Sequence, residues 1–157
     1  MTTYSPLSKQ VKAAIIDRIG LGSVISDPEL LNQYRSDASK LSAIPELVVV
    51  AKTVQDIQAL LELANIYRFP VTPRGGGSGL AGGCVPNCGG VVVLTTALNR
   101  IKVIDNKNFI MKVEPGVISE KVCTAAADQN LFYPPDPAGM DQSTIGGNAA
   151  TDAGGPA

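Results

Sequence analysis

The stretch that decides how this chain is interpreted is Pro73-Arg-Gly-Gly-Gly-Ser-Gly-Leu-Ala-Gly-Gly83. Five of the eight residues from 75 to 82 are glycine. Because glycine has no Cβ, successive backbone N–H groups can converge on an anion and adopt positive φ angles. Ser78 adds a hydroxyl donor and Arg74 a fixed positive charge. The stretch therefore predicts a nest for a phosphate or pyrophosphate group.

The two common nucleotide motifs do not account for this loop. Gly77-x-Gly79-x-x-Gly82 matches the dinucleotide fingerprint, but that motif requires a helix directly after its last glycine. Here Gly83-Cys-Val-Pro-Asn-Cys-Gly-Gly90 follows, and a helix cannot start there. No Gly-Lys-Ser/Thr sequence occurs, so an ATP P-loop is excluded as well. A purely structural loop between two strands remains the alternative.

A second group of small and polar residues lies further along the chain. It comprises Pro134-Pro-Asp-Pro137 and Gln142-Ser-Thr-Ile-Gly-Gly-Asn148. Taken alone, this group is typical of a surface loop. Together with the glycine loop it could hold a long ligand at two points along its length.

The flanking sequence predicts a mixed fold, α+β or α/β-like, in which a small sheet is flanked by helices. Hydrophobic periodicity predicts helices over 5–19, 28–35 and about 117–129, and a further helix that starts at a Thr53–Asp56 capping box and ends at Pro70. Strands are predicted at 47–50, 71–72 and 91–95, with a hairpin formed by 101–105 and 109–114. The stretch 143–156 is rich in small residues and is assigned no helix.

Composition excludes several classes of function. With 157 residues, 45% apolar residues and a net charge of −1, the chain is globular and shows no electrostatic case for nucleic acid. No apolar run approaches the ~20 residues of a membrane span, and no secretory signal is evident, so a cytoplasmic location is expected. The sequence has no histidine, which removes the most frequent general base and a common metal ligand. The three cysteines are interpreted as ordinary thiols, and no metal site is expected.

Several segments together resemble the FAD-binding domain of the p-cresol methylhydroxylase and vanillyl-alcohol oxidase family, and within it the D-lactate dehydrogenase and glycolate oxidase D-subunit branch. The segments are Pro45-Glu-Leu-Val-Val-Val-Ala-Lys52, the loop Pro73–Gly83, Leu98-Asn-Arg-Ile101, Val113-Glu-Pro-Gly-Val117, Tyr133-Pro-Pro-Asp-Pro137, and Ser143-Thr-Ile-Gly-Gly-Asn-Ala-Ala150 running into Asp152-Ala-Gly-Gly155. They cover the chain from about residue 27 to its end. Thr151-Asp152 stands where relatives usually carry a Glu-Asn pair.

The resemblance implies that FAD is the cofactor and that its pyrophosphate binds the glycine loop. The residues expected to line the cofactor are Pro73, Arg74, Gly75, Gly76, Gly77, Ser78, Gly79, Asp136, Ser143, Thr144, Gly147, Asn148, Asp152, Ala153 and Gly154. Some members of the family attach FAD covalently through a histidine. Because this sequence has no histidine, that link is excluded and FAD is expected to bind non-covalently.

The resemblance also implies an oxidoreductase that oxidises a small 2-hydroxy acid, of the glycolate or D-lactate type, by hydride transfer to FAD. Residues 1–42 are predicted to be an N-terminal helical segment and residues 43–157 the first part of an incomplete FAD-binding domain, without a substrate domain. No catalytic residue is assigned. Two alternatives stay open: a flavin-binding subunit or module whose substrate site lies on a partner chain, or a non-catalytic remnant.

Overall fold

The computed structural model describes Tyr4 and residues 6–156. The helices are α1 (Lys9–Ile19), α2 (Pro28–Leu31), α3 (Val54–Tyr67), α4 (Ser119–Ala127) and α5 (Ile145–Thr151). The strands are β1 (Val24–Ile25), β2 (Leu47–Val50), β3 (Val71–Arg74), β4 (Val91–Leu94), β5 (Ile101–Asp105) and β6 (Ile110–Val113). Short 3-10 turns occupy Leu21–Ser23 and Asn32–Tyr34. The predicted α+β class, a small sheet flanked by helices, is confirmed.

A four-stranded sheet forms the centre of the fold, with the strand order β1-β2-β4-β3. Strands β2, β4 and β3 run parallel, and β1 pairs antiparallel with β2. Strands β2 and β4 are short valine-rich runs, which is typical of strands covered on both faces. α3 provides the crossover between β2 and β3, as a parallel connection requires.

The two faces of the sheet support two separate apolar clusters. On one face α1 and α3 pack over Leu47, Val49, Val91 and Val93. On the other face Leu31 covers Val48, Val92 and Leu94. Successive side chains of a strand point to opposite faces, so β2 contributes to both clusters.

Capping residues set the limits of the first long helices. The helix predicted over 5–19 begins instead at Lys9, because Ser8 is extended and its side chain accepts a hydrogen bond from the Val11 N–H; residue 5 lies outside the described part. Thr53 and Asp56 form the predicted capping box at the start of α3. That helix ends at Tyr67, and its C-cap Arg68 is in the left-handed conformation, two residues before Pro70.

The C-terminal third differs more from the prediction. α4 is shorter than the predicted 117–129, because Ile118 is extended and the helix starts at Ser119. α5 was missed altogether, since its sequence Ile-Gly-Gly-Asn-Ala-Ala-Thr contains two poor helix formers. Tertiary contact favours the helix nonetheless: Gly146 lies against Pro115, where any side chain would overlap. None of the helices in the described residues is long and apolar enough to cross a membrane.

Candidate functional site

The glycine loop leaves the carboxyl end of strand β3, directly after Arg74. Ligands of parallel α/β sheets commonly bind at this edge. Residues 75–90 form only turns and bends, and no helix follows Gly82. As the sequence predicted, the loop is therefore not a dinucleotide fingerprint.

The loop packs directly against the second group of small residues. A Cβ added to Gly75 would overlap the Oγ1 of Thr144, and one added to Gly76 would overlap the backbone carbonyl of Gln142. Only glycine allows the two backbones to approach this closely. The structure thus brings together the two segments that the sequence identified separately.

The backbone N–H groups of the loop are available to a ligand. Within residues 6–156, no backbone or side-chain acceptor receives a hydrogen bond from the N–H groups of Gly75 through Gly79. Four of these five residues are half-buried, and Gly77 has a φ angle of +75°. Half-buried donors without a partner are costly unless water or a ligand accepts them. The loop therefore fits an anionic group such as a pyrophosphate.

Arg74 lies beneath the loop and not beside it. Its side chain is 9% exposed, and its guanidinium packs so closely under Gly77 that a Cβ there would overlap it. Its one side-chain hydrogen bond in the described residues goes from Nη1 to Cys84 Sγ, at 3.4 Å. No carboxylate of the described residues forms an ion pair with it. A buried positive charge therefore lies directly below the unpaired amides.

The half-buried Cys84 separates this charge from Asp37, whose Oδ2 lies 3.8 Å from the thiol. Burial raises the pKa of the Cys84 thiol above its usual range, and the opposing effect of Arg74 is smaller. The thiol is thus protonated and unreactive at neutral pH, which agrees with its interpretation as an ordinary thiol. Across Tyr4 and residues 6–156, no three histidine, cysteine, aspartate or glutamate side chains form a group that could hold a metal ion.

The segment facing the loop is anchored by the first turn of α4. The Ser119 hydroxyl lies 2.8 Å from the Ser143 hydroxyl and accepts a hydrogen bond of 2.7 Å from the Asn148 side chain. The Ser119 N–H donates to the Ser143 carbonyl at 3.0 Å, and the Ile145 N–H donates to the Val117 carbonyl at 2.9 Å. The side chains of Ser143 and Asn148 are thus already engaged by protein.

The remaining predicted residues divide into one that contacts the glycine loop, Thr144, and a second group near Asp136 and Asp152 that does not hydrogen-bond to it. Thr144 is 1% exposed and caps α5, since its Oγ1 accepts a hydrogen bond from the Gly147 N–H. The Asp136 N–H donates to the Gly154 carbonyl at 2.9 Å, which joins the proline-rich turn to the residues after α5. Asp152 ends α5 in the left-handed conformation. Within the described residues, Asp136, Asp152 and Gly154 form no hydrogen bond with the glycine loop.

The sequence placed Gln142 in the second group of small and polar residues, but its contact with the loop is made by the backbone carbonyl, so its side-chain type carries no signal. Sequence reasoning missed Ser119, which lies near the start of the helix predicted over about 117–129. Ser119 does not cap α4, whose N-cap is Ile118, and its role as a buried hydrogen-bonding centre depends on contacts 24 and 29 residues away.

Comparison with known proteins places this geometry in a family. The chain is 35% identical over 157 residues to the glycolate oxidase subunit GlcD of Bacillus subtilis, covering 95% of this chain and 32% of that protein. It is 42% identical over 113 residues to the D-lactate dehydrogenase of Anaerostipes hadrus, covering 72% of this chain and 24% of that protein. The chain thus spans about a quarter to a third of the length of these relatives.

Solved structures show the same fold. An alkyldihydroxyacetonephosphate synthase superposes with a TM-score of 0.82 at 17% identity, covering 96% of this chain and 30% of that one. A substrate-bound p-cresol methylhydroxylase superposes with a TM-score of 0.72 at 20% identity, covering 89% of this chain and 28% of that one. The family described as the FAD binding domain matches residues 45–157. The predicted resemblance and the predicted cofactor, FAD, are confirmed, and the chain belongs to the FAD binding domain family.

Proposed function

We propose that this chain binds FAD between the glycine loop and the segment 142–144, as part of a flavin-dependent oxidoreductase that oxidises a 2-hydroxy acid. The observation that carries the proposal is the row of unpaired N–H groups from Gly75 through Gly79, held against Gln142 and Thr144 above a buried arginine. Such a row of donors suits the oxygens of a pyrophosphate, because each N–H can donate to an anionic oxygen.

The predicted cofactor residues receive different roles in this proposal. Gly75 through Gly79, with the Ser78 hydroxyl, would hold the pyrophosphate. Arg74 would act through its charge from below the loop. Pro73 directs β3 into the loop. The other predicted residues, Asp136, Ser143, Thr144, Gly147, Asn148, Asp152, Ala153 and Gly154, would shape the opposite side of the cofactor site.

The chemistry of the complete protein follows from the cofactor. When bound, FAD would supply the acceptor for a hydride equivalent from the carbon that carries the substrate hydroxyl, and the protein would supply binding and orientation. The relatives named for glycolate and D-lactate suggest a small 2-hydroxy acid as substrate. We assign no catalytic acid or base to this chain, and we propose a cytoplasmic location and non-covalent FAD.

One observation favours a further polypeptide segment that packs on this chain. This segment would be either additional sequence of the same protein or a partner subunit. Phe109, Ile110 and Phe132 are 80%, 60% and 83% exposed. Phe109 and Ile110 lie at the turn of the β5–β6 hairpin, which forms a two-stranded sheet by itself. Large exposed apolar side chains on such a small sheet suit a surface that another segment covers.

The test is a titration of the purified chain with FAD, followed by flavin fluorescence, with two matched glycine variants. Gly76→Ala inserts a methyl group into the Gln142 carbonyl, so we expect FAD affinity to fall by at least about tenfold. Gly83→Ala lies in the same loop but its new methyl group meets no atom within 4 Å. The control variant should bind as the wild type does.

Equal binding by both variants would contradict the proposed position of the pyrophosphate. An equal loss of FAD affinity in both variants would show that any added side chain in the loop weakens binding. The contact with Gln142 would then not be the cause. Circular dichroism of both variants confirms that the comparison is made on folded protein.

A further inference from the structure

Ser119 is a completely buried polar residue that no ligand could reach. It is the first residue of α4, and its relative exposure is 0%. Its hydroxyl lies within 3.2 Å of three groups: the carbonyl and the hydroxyl of Ser143, and the side-chain amide of Asn148. A buried hydroxyl with three partners is a strong local constraint, since the Ser143 hydroxyl and the Asn148 side-chain amide form no other hydrogen bond within the described residues.

Backbone hydrogen bonds extend this constraint along the neighbouring segment. The Glu120 N–H donates to the Met140 carbonyl at 3.1 Å, and the Gly146 N–H donates to the Pro115 carbonyl at 2.8 Å. Ile118 and Thr144 form an antiparallel bridge. Residues 140 and 143–146 are therefore tied to residues 115–120, and the contact between Ser119 and Ser143 lies within this series of bonds.

The segment held in this way is the one that touches the glycine loop. Ser143 lies between Gln142, whose carbonyl faces Gly76, and Thr144, whose Oγ1 faces Gly75. A path of direct contacts thus leads from Ser119 through Ser143 to the unpaired amides of the loop. Interiors are close-packed, so a shift of Ser143 is transmitted to the glycines and not absorbed.

We propose that Ser119 is a positioning residue of the cofactor site. Its hydroxyl fixes the segment 142–144 at the distance from Gly75 and Gly76 at which the loop amides are ready to receive an anion. Ser143 and Asn148 act through Ser119 and do not bind the cofactor with their side chains. This inference rests on the proposed function only in naming the anion as the FAD pyrophosphate.

The first test compares Ser119→Ala with Thr124→Ala. Thr124 lies on the same helix, but it is exposed, and within the described residues its hydroxyl donates only to the Glu120 carbonyl, at 3.0 Å. At a temperature where every variant is folded, we expect Ser119→Ala to weaken FAD binding about tenfold. Thr124→Ala should bind FAD as the wild type does. Unchanged FAD affinity in Ser119→Ala, with wild-type binding intact, would overturn the inference and leave the proposed function standing.

A double-mutant cycle of Ser119→Ala and Asn148→Ala tests whether Asn148 influences FAD affinity through Ser119. If Asn148 acts through Ser119, the double variant binds FAD about as weakly as Ser119→Ala alone. If Asn148 contacts the cofactor directly, the two losses multiply, and the inference is wrong for Asn148.

A measurement without FAD separates this inference from the proposed function. In amide NMR spectra of the protein alone, Ser119→Ala should shift the Gly75 and Gly76 resonances, and Thr124→Ala should leave them in place. Unmoved glycine resonances would refute the positioning role. If the wild type binds no FAD, the proposed function fails, and this comparison still decides whether Ser119 fixes the loop.

Discussion

At the scale of single residues, Arg74 is the least expected feature of the site. The sequence predicted only that Arg74 supplies a fixed positive charge to the glycine loop. The structure places the guanidinium underneath, 9% exposed, with a thiol as its side-chain hydrogen-bond partner. A charge buried in this way is unfavourable to the protein alone and favourable once an anion lies above it.

This arrangement predicts opposite effects of Arg74→Met on folding and on binding. Removing the charge while keeping an unbranched apolar side chain should leave the free energy of unfolding unchanged or raise it. FAD affinity should fall by about tenfold or more, and the remaining binding should depend less on salt. Chemical denaturation and FAD titration at two salt concentrations measure both quantities.

The matched control for this prediction is Arg18→Met. Arg18 pairs with Glu62 at the surface, at 3.0 Å, and lies on α1. This variant should bind FAD normally with normal salt dependence. A parallel loss of stability and binding in Arg74→Met would instead assign the arginine a structural role.

At the scale of elements, one buried carboxylate holds β6 to the start of β5. Glu114 is 5% exposed and contacts Arg100 at 2.7 Å and Lys102 at 3.4 Å, and it also accepts a hydrogen bond from the Arg100 N–H. These interactions, the hydrogen bonds from Arg100 foremost, lower the pKa of Glu114 from 4.5 to about 2. The same residue directly precedes Pro115, against which Gly146 of α5 packs.

The sign of the resulting pH dependence follows from the lowered pKa. The folded protein favours the ionised form, so the stabilisation is present in full above pH 4.5 and is lost as the pH falls toward 2. Glu114→Gln should therefore lower the free energy of unfolding at neutral pH and flatten its fall between these two values. Denaturant unfolding at several pH values measures this slope.

Glu62→Gln is the control for this experiment. Glu62 pairs with Arg18 at the surface, where ion pairs contribute little. Its pH dependence should follow that of the wild type. If Glu114→Gln also follows the wild type, the Glu114 contacts do not stabilise the fold.

At the scale of the whole molecule, α1 belongs to the same core as the family-matching part. Val11 and Ile15 pack in one cluster with Leu47, Leu60 and Val91. The sequence separated residues 1–42 from residues 43–157, and the family match begins at residue 45. The shared cluster predicts that the two parts unfold together.

Ile15→Ala tests this prediction. Ile15 is 0% exposed, so the truncation should lower the free energy of unfolding by about 2–5 kcal/mol in a single cooperative transition. The matched control, Ile66→Ala, truncates an isoleucine that is 69% exposed on α3, and its effect should be small. Two separate transitions in Ile15→Ala would show that the N-terminal segment unfolds independently.

The sequence by itself determined the fold class, the valine-rich strands, the Thr53 cap, the glycine loop and the family. These features depend on local periodicity, capping and backbone freedom, which neighbouring residues specify. Only the tertiary structure decided that α5 is a helix, that Arg74 lies beneath its loop, and that Ser119 anchors the facing segment. Each of these depends on partners distant in sequence: Gly146 on Pro115, Arg74 on Cys84, and Ser119 on Ser143 and Asn148. Packing and burial place Arg74 and Ser119, whereas α5 also has a local cap at Thr144, a signal that its two glycines obscure in the sequence.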